Sequence, residues 1–169
     1  MTPVWETLIE SLVAPEVIGS VPDQLDSVTH DSRQVKSGSL YCCVVGANAD
    51  GHDFAGDAVK AGATALLVQK KLDLDVTQII VGDVRQQMGA ASAAVFGDPS
   101  SELSLLGVTG TNGKSSVIQL LADIWDVTDN NSEIYGTLTQ KRTTEEAPLL
   151  QAALPVSYTH LTLPTICSV

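Results

Sequence analysis

A mostly apolar run followed by a glycine-rich turn, between residues 103 and 116, constrains the fold of this chain more than any other feature. Residues 103–108 predict a buried strand, and residues 117–125 carry apolar side chains at helical spacing. The sequence Gly-Thr-Asn-Gly-Lys-Ser lies between them. A strand, a glycine-rich loop and a helix that begins at Lys-Ser form an arrangement that binds nucleoside triphosphates.

The residue types in this loop suit phosphate binding. Glycines let backbone N–H groups turn toward phosphate oxygens, and the helix N-terminus adds about half a positive charge. We expect Lys114 to contact the outer phosphates of ATP and to be the one catalytic side chain. The hydroxyl of Ser115 is expected to bind Mg²⁺. The predicted cofactor-binding residues are Gly110, Thr111, Asn112, Gly113, Lys114, Ser115 and Ser116. The alternative is a turn without a ligand, since the common form of the motif has glycine in place of Val108.

Composition excludes several classes of protein. The chain has 169 residues, of which 44% are hydrophobic, enough for a packed core. A formal net charge of −11 argues against nucleic acid as a partner. No apolar run is long enough to insert into a membrane, and the first residues lack the pattern of a signal peptide. We interpret Cys42 and Cys43, adjacent in a predicted strand and pointing to opposite faces, as core residues of a cytoplasmic protein.

Alternating strand and helix patterns predict an α/β fold in two parts. In the first part we expect residues 27–35 to form a short strand that runs into a polar loop. Further strands are expected at 40–45, 65–68 and 78–81, and helices over 3–12, 54–61 and 84–96. Asp83 is expected to cap the last of these helices, and residues 15–26 are expected to be a connection. The boundary is predicted at 99–101, which gives a first domain over 1–98 and a second over 99–154.

The second part is expected to contain two more elements after the glycine-rich loop and its helix. A strand is predicted at 133–138, as the partner of the strand at 103–108. A helix is predicted to begin at Ala147, and Pro155 is expected to break it.

Two groups of residues resemble the Mur ligases. The stretch Gly-Val-Thr-Gly-Thr-Asn-Gly-Lys-Ser-Ser is similar to the phosphate-binding loop of that family, and Asp-Ser-Arg at 31–33 with Asp-Gly-His-Asp-Phe at 50–54 resembles its N-terminal domain. The resemblance covers residues 25–154. It implies an N-terminal α/β domain that binds the UDP part of a UDP-N-acetylmuramoyl-peptide, followed by the start of a P-loop ATP-binding domain. The substrate-binding residues that it implies in the first domain are His30, Ser32, Ala47, Asn48 and Ala49.

The chemistry of these residues is compatible with that role. Ser32 carries a hydroxyl, Asn48 carries an amide, and the loop around them can present backbone N–H groups to a diphosphate. The alternative is structural, because Asp31 could cap a turn and Asp-Gly is a common turn dipeptide. We interpret His52 as a loop hydrogen-bonding residue, since no second histidine or cysteine beside it suggests a metal site.

A third group resembles the branch of the family that adds the third residue to the peptidoglycan stem peptide. It comprises Gly-Thr-Leu at 136–138, Arg-Thr-Thr at 142–144 and Glu-Ala-Pro at 146–148. The resemblance implies that Thr143 and Thr144 contact the muramoyl-peptide, whereas the structural alternative is capping of the helix that follows. It also implies the reaction: ATP phosphorylates UDP-N-acetylmuramoyl-L-alanyl-D-glutamate, and the amine of diaminopimelate or lysine attacks the acyl phosphate.

Residues 155–169 do not continue the resemblance, and we interpret them as a non-native tail, with a short strand possible by alternation within 157–165. We expect the chain to be a monomer that has no ligase turnover alone, because the amine pocket and later metal ligands of the family lie beyond this sequence. Three alternatives stay open: a fragment that only binds, the ligase that adds D-alanyl-D-alanine, and an unrelated P-loop phosphotransferase.

Overall fold

The chain divides into two compact units, Met1–Gly97 and Asp98–Val169. The computed structural model describes residues 3–127, 133–135, 146–160 and 165–168. Across these ranges no helix combines the length and the apolar character that crossing a membrane requires.

The first unit is a five-stranded sheet with three helices. Its elements are α1 (Pro3–Ser11), β1 (Glu16–Ile18), β2 (Ser27–Thr29), β3 (Ser39–Cys42), α2 (Ala55–Ala61), β4 (Ala63–Val68), β5 (Thr77–Ile80) and α3 (Val84–Val95). The strand order is β1-β5-β4-β3-β2. Strands β2 to β5 run parallel, and β1 lies antiparallel to β5 at the edge. The predicted α/β class is confirmed.

Apolar side chains cover both faces of this sheet, as expected for parallel strands. One cluster joins the sheet to α1 and α3, and its largest members include Trp5, Leu40 and Leu67. The other cluster contains Tyr41, Leu66 and, from α2, Ala55 and Ala58. Cys42 belongs to the first cluster and Cys43 to the second, which confirms that the two thiols point to opposite faces.

Local signals in the first unit predicted three features correctly and missed one strand. The Asp83 side chain accepts a hydrogen bond from the N–H of Gln86, 3.1 Å away, which confirms the cap of α3. Helix α2 ends before Gly62, as predicted. Strand β1, however, lies within the predicted connection, because its pairing with β5 is a long-range contact. The short strand predicted at the start of 27–35 lies at Ser27–Thr29, and the polar residues that follow form a capped 3₁₀ turn at Ser32–Gln34, so this prediction is confirmed.

The second unit has a three-stranded sheet. Its elements are a 3₁₀ turn at Pro99–Glu102, β6 (Leu105–Val108), α4 (Lys114–Val127), β7 (Glu133–Tyr135), α5 (Ala147–His160) and β8 (Thr165–Ser168). Strand β8 lies between β6 and β7 and runs parallel to both. Among the described side chains, Ile118 and Ala122 of α4 form one buried apolar cluster of this unit, and Leu154 of α5 is also buried.

The predicted partner of β6 and the predicted end of the last helix are wrong. The partner of β6 is β8, whereas the predicted partner is paired with the other edge of β8. Helix α5 continues through Pro155, because a proline removes one helical N–H and the neighbouring hydrogen bonds can persist, at a cost of about 3 kcal/mol. The strand that alternation allowed within 157–165 is not formed by residues 157–160, which belong to α5, and a strand lies at Thr165–Ser168. The interpretation of residues 155–169 as a non-native tail stays a prediction.

Candidate functional site

The loops that carry the predicted sugar-nucleotide residues emerge at one edge of the first sheet. Strands β2 and β3 are parallel neighbours, so their carboxyl ends lie side by side. His30 and Ser32 follow β2, and residues 47–49 lie in the loop that follows β3. Ligands of open α/β sheets bind outside the carboxyl ends of the strands. The sheet therefore brings both groups of predicted residues to an edge suited to a ligand.

The turn after β2 is held by the carboxylate of Asp31. This carboxylate accepts hydrogen bonds from the Arg33 backbone N–H at 3.0 Å, from Nε at 2.9 Å and from Nη2 at 2.7 Å. The side-chain hydrogen bonds from Arg33 lower the pKa of Asp31 to about 2. Asp31 thus caps the turn, as the structural alternative states. Ser32 lies between Asp31 and Arg33 in the sequence and is half-buried, so the turn sets its orientation.

The loop over residues 45–50 is short and exposed. The N–H of Gly46 donates to the carbonyl of Ala49, and the N–H of Gly51 donates to the carbonyl of Val44, both at 2.9 Å. The side chains of residues 45–49, Asn48 among them, are exposed. Gly51 is required by close packing, because a Cβ there would lie 2.6 Å from the backbone nitrogen of Val44.

His52 lies directly behind this loop and is buried, with 7% of its surface exposed. Its Nδ1 lies 2.5 Å from Oδ1 of Asp50, and its Nε2 accepts the N–H of Gln69 at 3.0 Å. Hydrogen bonds from His52, its backbone N–H first, lower the pKa of Asp50. Within the described part of the chain, no group of three potential metal-ligating side chains occurs. The interpretation of His52 as a loop hydrogen-bonding residue is confirmed.

Three residues at this edge were missed by the sequence analysis. The hydroxyl of Tyr41 donates to the carbonyl of Gly51 at 3.2 Å, and burial raises the pKa of Tyr41. The Thr29 hydroxyl accepts the N–H of Asp31 at 3.1 Å. Gln69 contacts His52 through its backbone, so no side-chain pattern could have indicated it. Thr29 lies two residues before Asp31, and this position was the one sequence feature that could have indicated its contact with Asp31.

His30 presents an unsatisfied polar atom at the same edge. Its Nδ1 is buried and has no hydrogen-bond partner within the described structure. A buried nitrogen without a partner carries a free-energy cost that a ligand group could relieve. This observation agrees with the prediction that His30 lies beside a bound sugar nucleotide.

The glycine-rich loop of the second unit lies between β6 and α4, as predicted. Gly110 has a φ of 153° and Gly113 a φ of 77°, which glycine adopts readily and other residues do not. The ammonium of Lys114 donates to the carbonyl of Gly110 at 2.5 Å, so it already lies against the loop that would hold phosphates. Ser115 is half-buried in the first turn of α4, and Thr111, Asn112 and Ser116 are exposed. Thr143 and Thr144 lie outside the described residues.

Known proteins resemble this chain in amino-acid sequence. The sequence profile described as "Mur ligase family, catalytic domain" matches residues 24–112, more than half of the chain. A ligase of Bacillus licheniformis, UDP-N-acetylmuramoyl-L-alanyl-D-glutamate--2,6-diaminopimelate ligase, is 35% identical over 127 residues. That match covers 75% of this chain and 26% of the relative, so the chain spans about a quarter of the relative's length.

Two solved structures share the fold. MurF from Acinetobacter baumannii superposes with a TM-score of 0.73 at 19% identity, over 97% of this chain and 35% of that chain. MurF from Thermotoga maritima in complex with ADP gives a TM-score of 0.58 at 20% identity, over 86% of this chain and 33% of the other. At these identities the likeness concerns the fold. Together with the profile match, it shows that this chain belongs to the Mur ligase family.

Proposed function

We propose that the chain is the N-terminal part of an ATP-dependent ligase that joins 2,6-diaminopimelate to UDP-N-acetylmuramoyl-L-alanyl-D-glutamate in peptidoglycan synthesis. The observation that carries this proposal is the glycine-rich loop between β6 and α4, with Lys114 already hydrogen-bonded across it. The name of the B. licheniformis relative supplies the substrates. The ADP-bound T. maritima structure supports ATP as the nucleotide. Lysine is the alternative diamino acid.

The chemistry explains why such a reaction needs this loop. A carboxylate is a poor electrophile, so the D-glutamate carboxylate is phosphorylated before the amine attacks it and phosphate leaves. Lys114 neutralises negative charge on the transferred phosphoryl group, as phosphoryl transfer requires. The Ser115 hydroxyl, at the start of α4, suits Mg²⁺, which prefers oxygen ligands and supplies further charge neutralisation. The residues present therefore fit both ATP and the metal ion.

The sugar nucleotide is assigned to the first unit. Ser32 and Asn48 offer polar side chains, the loop over 45–50 offers backbone N–H groups, and His30 offers a buried unpaired nitrogen. Thr143 and Thr144 are proposed to contact the muramoyl-peptide. We place the protein in the cytoplasm, where ATP and the sugar nucleotide are available, and we expect a monomer.

Isothermal titration calorimetry with ATP–Mg²⁺ and with UDP tests the proposal. We expect wild-type chain to bind both, and Lys114→Ala to lose ATP binding while it retains UDP binding. Lys71→Ala removes an exposed lysine from the first unit and serves as the matched control. Equal ATP binding by Lys114→Ala and Lys71→Ala would contradict the assignment of the phosphate-binding loop.

A second assay addresses turnover. The chain is incubated with ATP, Mg²⁺, UDP-N-acetylmuramoyl-L-alanyl-D-glutamate and either diamino acid, and ADP release is measured. We expect no ADP above the blank, since phosphoryl transfer needs donor, metal ion and acceptor held together in close geometry. Product formation would show that these 169 residues contain the whole catalytic site.

A further inference from the structure

His52 connects two parts of the first unit that are distant in sequence. It lies directly after the loop over residues 45–50, and its ring joins that loop, through Asp50, to Gln69 at the end of β4. Strand β4 is the central strand of the sheet, with two neighbours on one side and two on the other. The imidazole therefore connects an exposed loop to the end of the central strand of the sheet.

The two hydrogen bonds define the protonation of the ring. A backbone N–H can only donate, so Nε2 must accept from Gln69 and carries a lone pair. Nδ1 then carries the proton and donates it to Asp50. Asp50 also accepts the backbone N–H of His52 at 2.9 Å, which fixes the carboxylate from two sides.

Other contacts of the loop do not reach β4. The backbone bonds from Gly46 to Ala49 and from Gly51 to Val44 close the loop on itself and on β3. Tyr41, which bonds the carbonyl of Gly51, also belongs to β3. Among the hydrogen bonds given for the described residues, those of the imidazole are the ones that join the loop, through Asp50, to the residue that follows β4.

We propose that His52, as the neutral Nδ1–H tautomer, is the positioning residue of the 45–50 loop, and that it holds the loop's N–H groups where they bind a nucleoside diphosphate. The ligand part rests on the proposed function. The imidazole has no role toward the reacting atoms, since its two nitrogens are both engaged by protein groups.

The experiment uses the full chain, UDP as the ligand and four variants. His52→Leu removes both hydrogen bonds and keeps an apolar side chain of similar size. His52→Gln and His52→Asn each retain an amide that can restore part of the pattern. Ser92→Ala is the matched control, because it removes a fully buried hydroxyl in α3 that donates to the Met88 carbonyl, away from the loop.

Three measurements are made: calorimetry with UDP, hydrogen exchange at the amides of Gly46 and Gly51, and long-range ¹H–¹⁵N spectra of the histidine ring. We expect His52→Leu to weaken UDP binding about tenfold and to speed exchange at both amides. Ser92→Ala should lower Tm without either effect, and one of the two amide variants should recover part of the UDP affinity. The spectra of wild-type chain should show the proton on Nδ1.

Two outcomes overturn the inference: a proton on Nε2, or a His52→Leu variant whose Gly46 and Gly51 amides exchange as slowly as those of Ser92→Ala. Absence of UDP binding in wild-type chain would instead contradict the proposed function, while the exchange data still decide whether His52 positions the loop. UDP affinity that is equal in His52→Leu and Ser92→Ala, with faster exchange in the former, would overturn the ligand part.

Discussion

In the first unit both faces of the sheet are covered, whereas in the second unit α4 leaves much of its apolar surface open. Leu66 and Leu67, which point to opposite faces of β4, are both 0% exposed. On α4, Leu120 is 61% and Ile124 60% exposed, although Ile118 is buried. Because burial of apolar surface is the dominant stabilising contribution, local unfolding should cost more free energy in the first unit than in the second. The candidate sugar-nucleotide edge thus lies on the more stable unit, and the glycine-rich loop lies on the less stable unit.

The largest expected effect comes from paired leucine truncations. Leu67→Ala should lower the free energy of unfolding of the first unit by about 3 kcal/mol, because it leaves a cavity in a closed core. Leu120→Ala should change the stability of the second unit by less than about 0.5 kcal/mol, because the side chain is exposed. Urea unfolding followed by circular dichroism measures both. Equal losses would show that α4 is covered in solution.

Paired glycine substitutions should give the next largest effect. Gly51→Ala should destabilise the first unit by about 2 kcal/mol, because the new Cβ would collide with the backbone of Val44. Gly113→Ala meets no atom within 4 Å, and its cost of about 1 kcal/mol arises from the left-handed φ alone. Thermal unfolding of both variants, with Gly56→Ala as a control in open space, gives the comparison. A larger loss of stability in Gly113→Ala than in Gly51→Ala would contradict the packing described around Gly51.

A ligand-specific prediction separates the two edges. Ser32→Ala should weaken UDP binding by about 1 kcal/mol, which is about fivefold, because one hydrogen bond is lost. ATP binding should be unchanged, since the loop that contains Lys114 lies in the other unit. Backbone amide shifts on addition of UDP should occur near Ser32 and residues 47–50. Amide shifts confined to residues 110–116 would show that the first unit does not bind UDP and has only a structural role.

The smallest expected effect is a pH dependence at Asp31. Its pKa is lowered from 3.8 to about 2, chiefly by the side-chain hydrogen bonds of Arg33. A lowered pKa means that the ionised carboxylate stabilises the folded state above about pH 4, and that this contribution is lost as the pH falls toward 2. The Arg33 side chain is 86% exposed, so solvent screens the pair. Asp31→Asn should therefore lower Tm by about 2 °C at pH 6 and by much less at pH 2, where about half of the Asp31 side chains are already protonated.

The fold and the sites were predictable to different extents. The glycine-rich loop between a strand and a helix, the α/β class, the cap at Asp83 and the opposite orientation of Cys42 and Cys43 follow from the sequence. Each depends on spacing or on residue types within a few positions. The hydrogen bonds within the Asp-Ser-Arg group confirm the structural interpretation of Asp31, whereas the functional interpretation of this group stays a prediction.

What the sequence by itself determined is therefore local: the existence of most strands and helices, the glycine-rich loop between β6 and α4, and which side chains share a face. The tertiary structure decided the pairings: β1 against β5, β8 between β6 and β7, and the imidazole of His52 against the backbone of Gln69. It also decided that α5 continues through Pro155. The physical reason is that periodicity and capping act within one or two turns of chain. Strand order and buried hydrogen bonds join residues far apart, and no spacing in the sequence records their proximity.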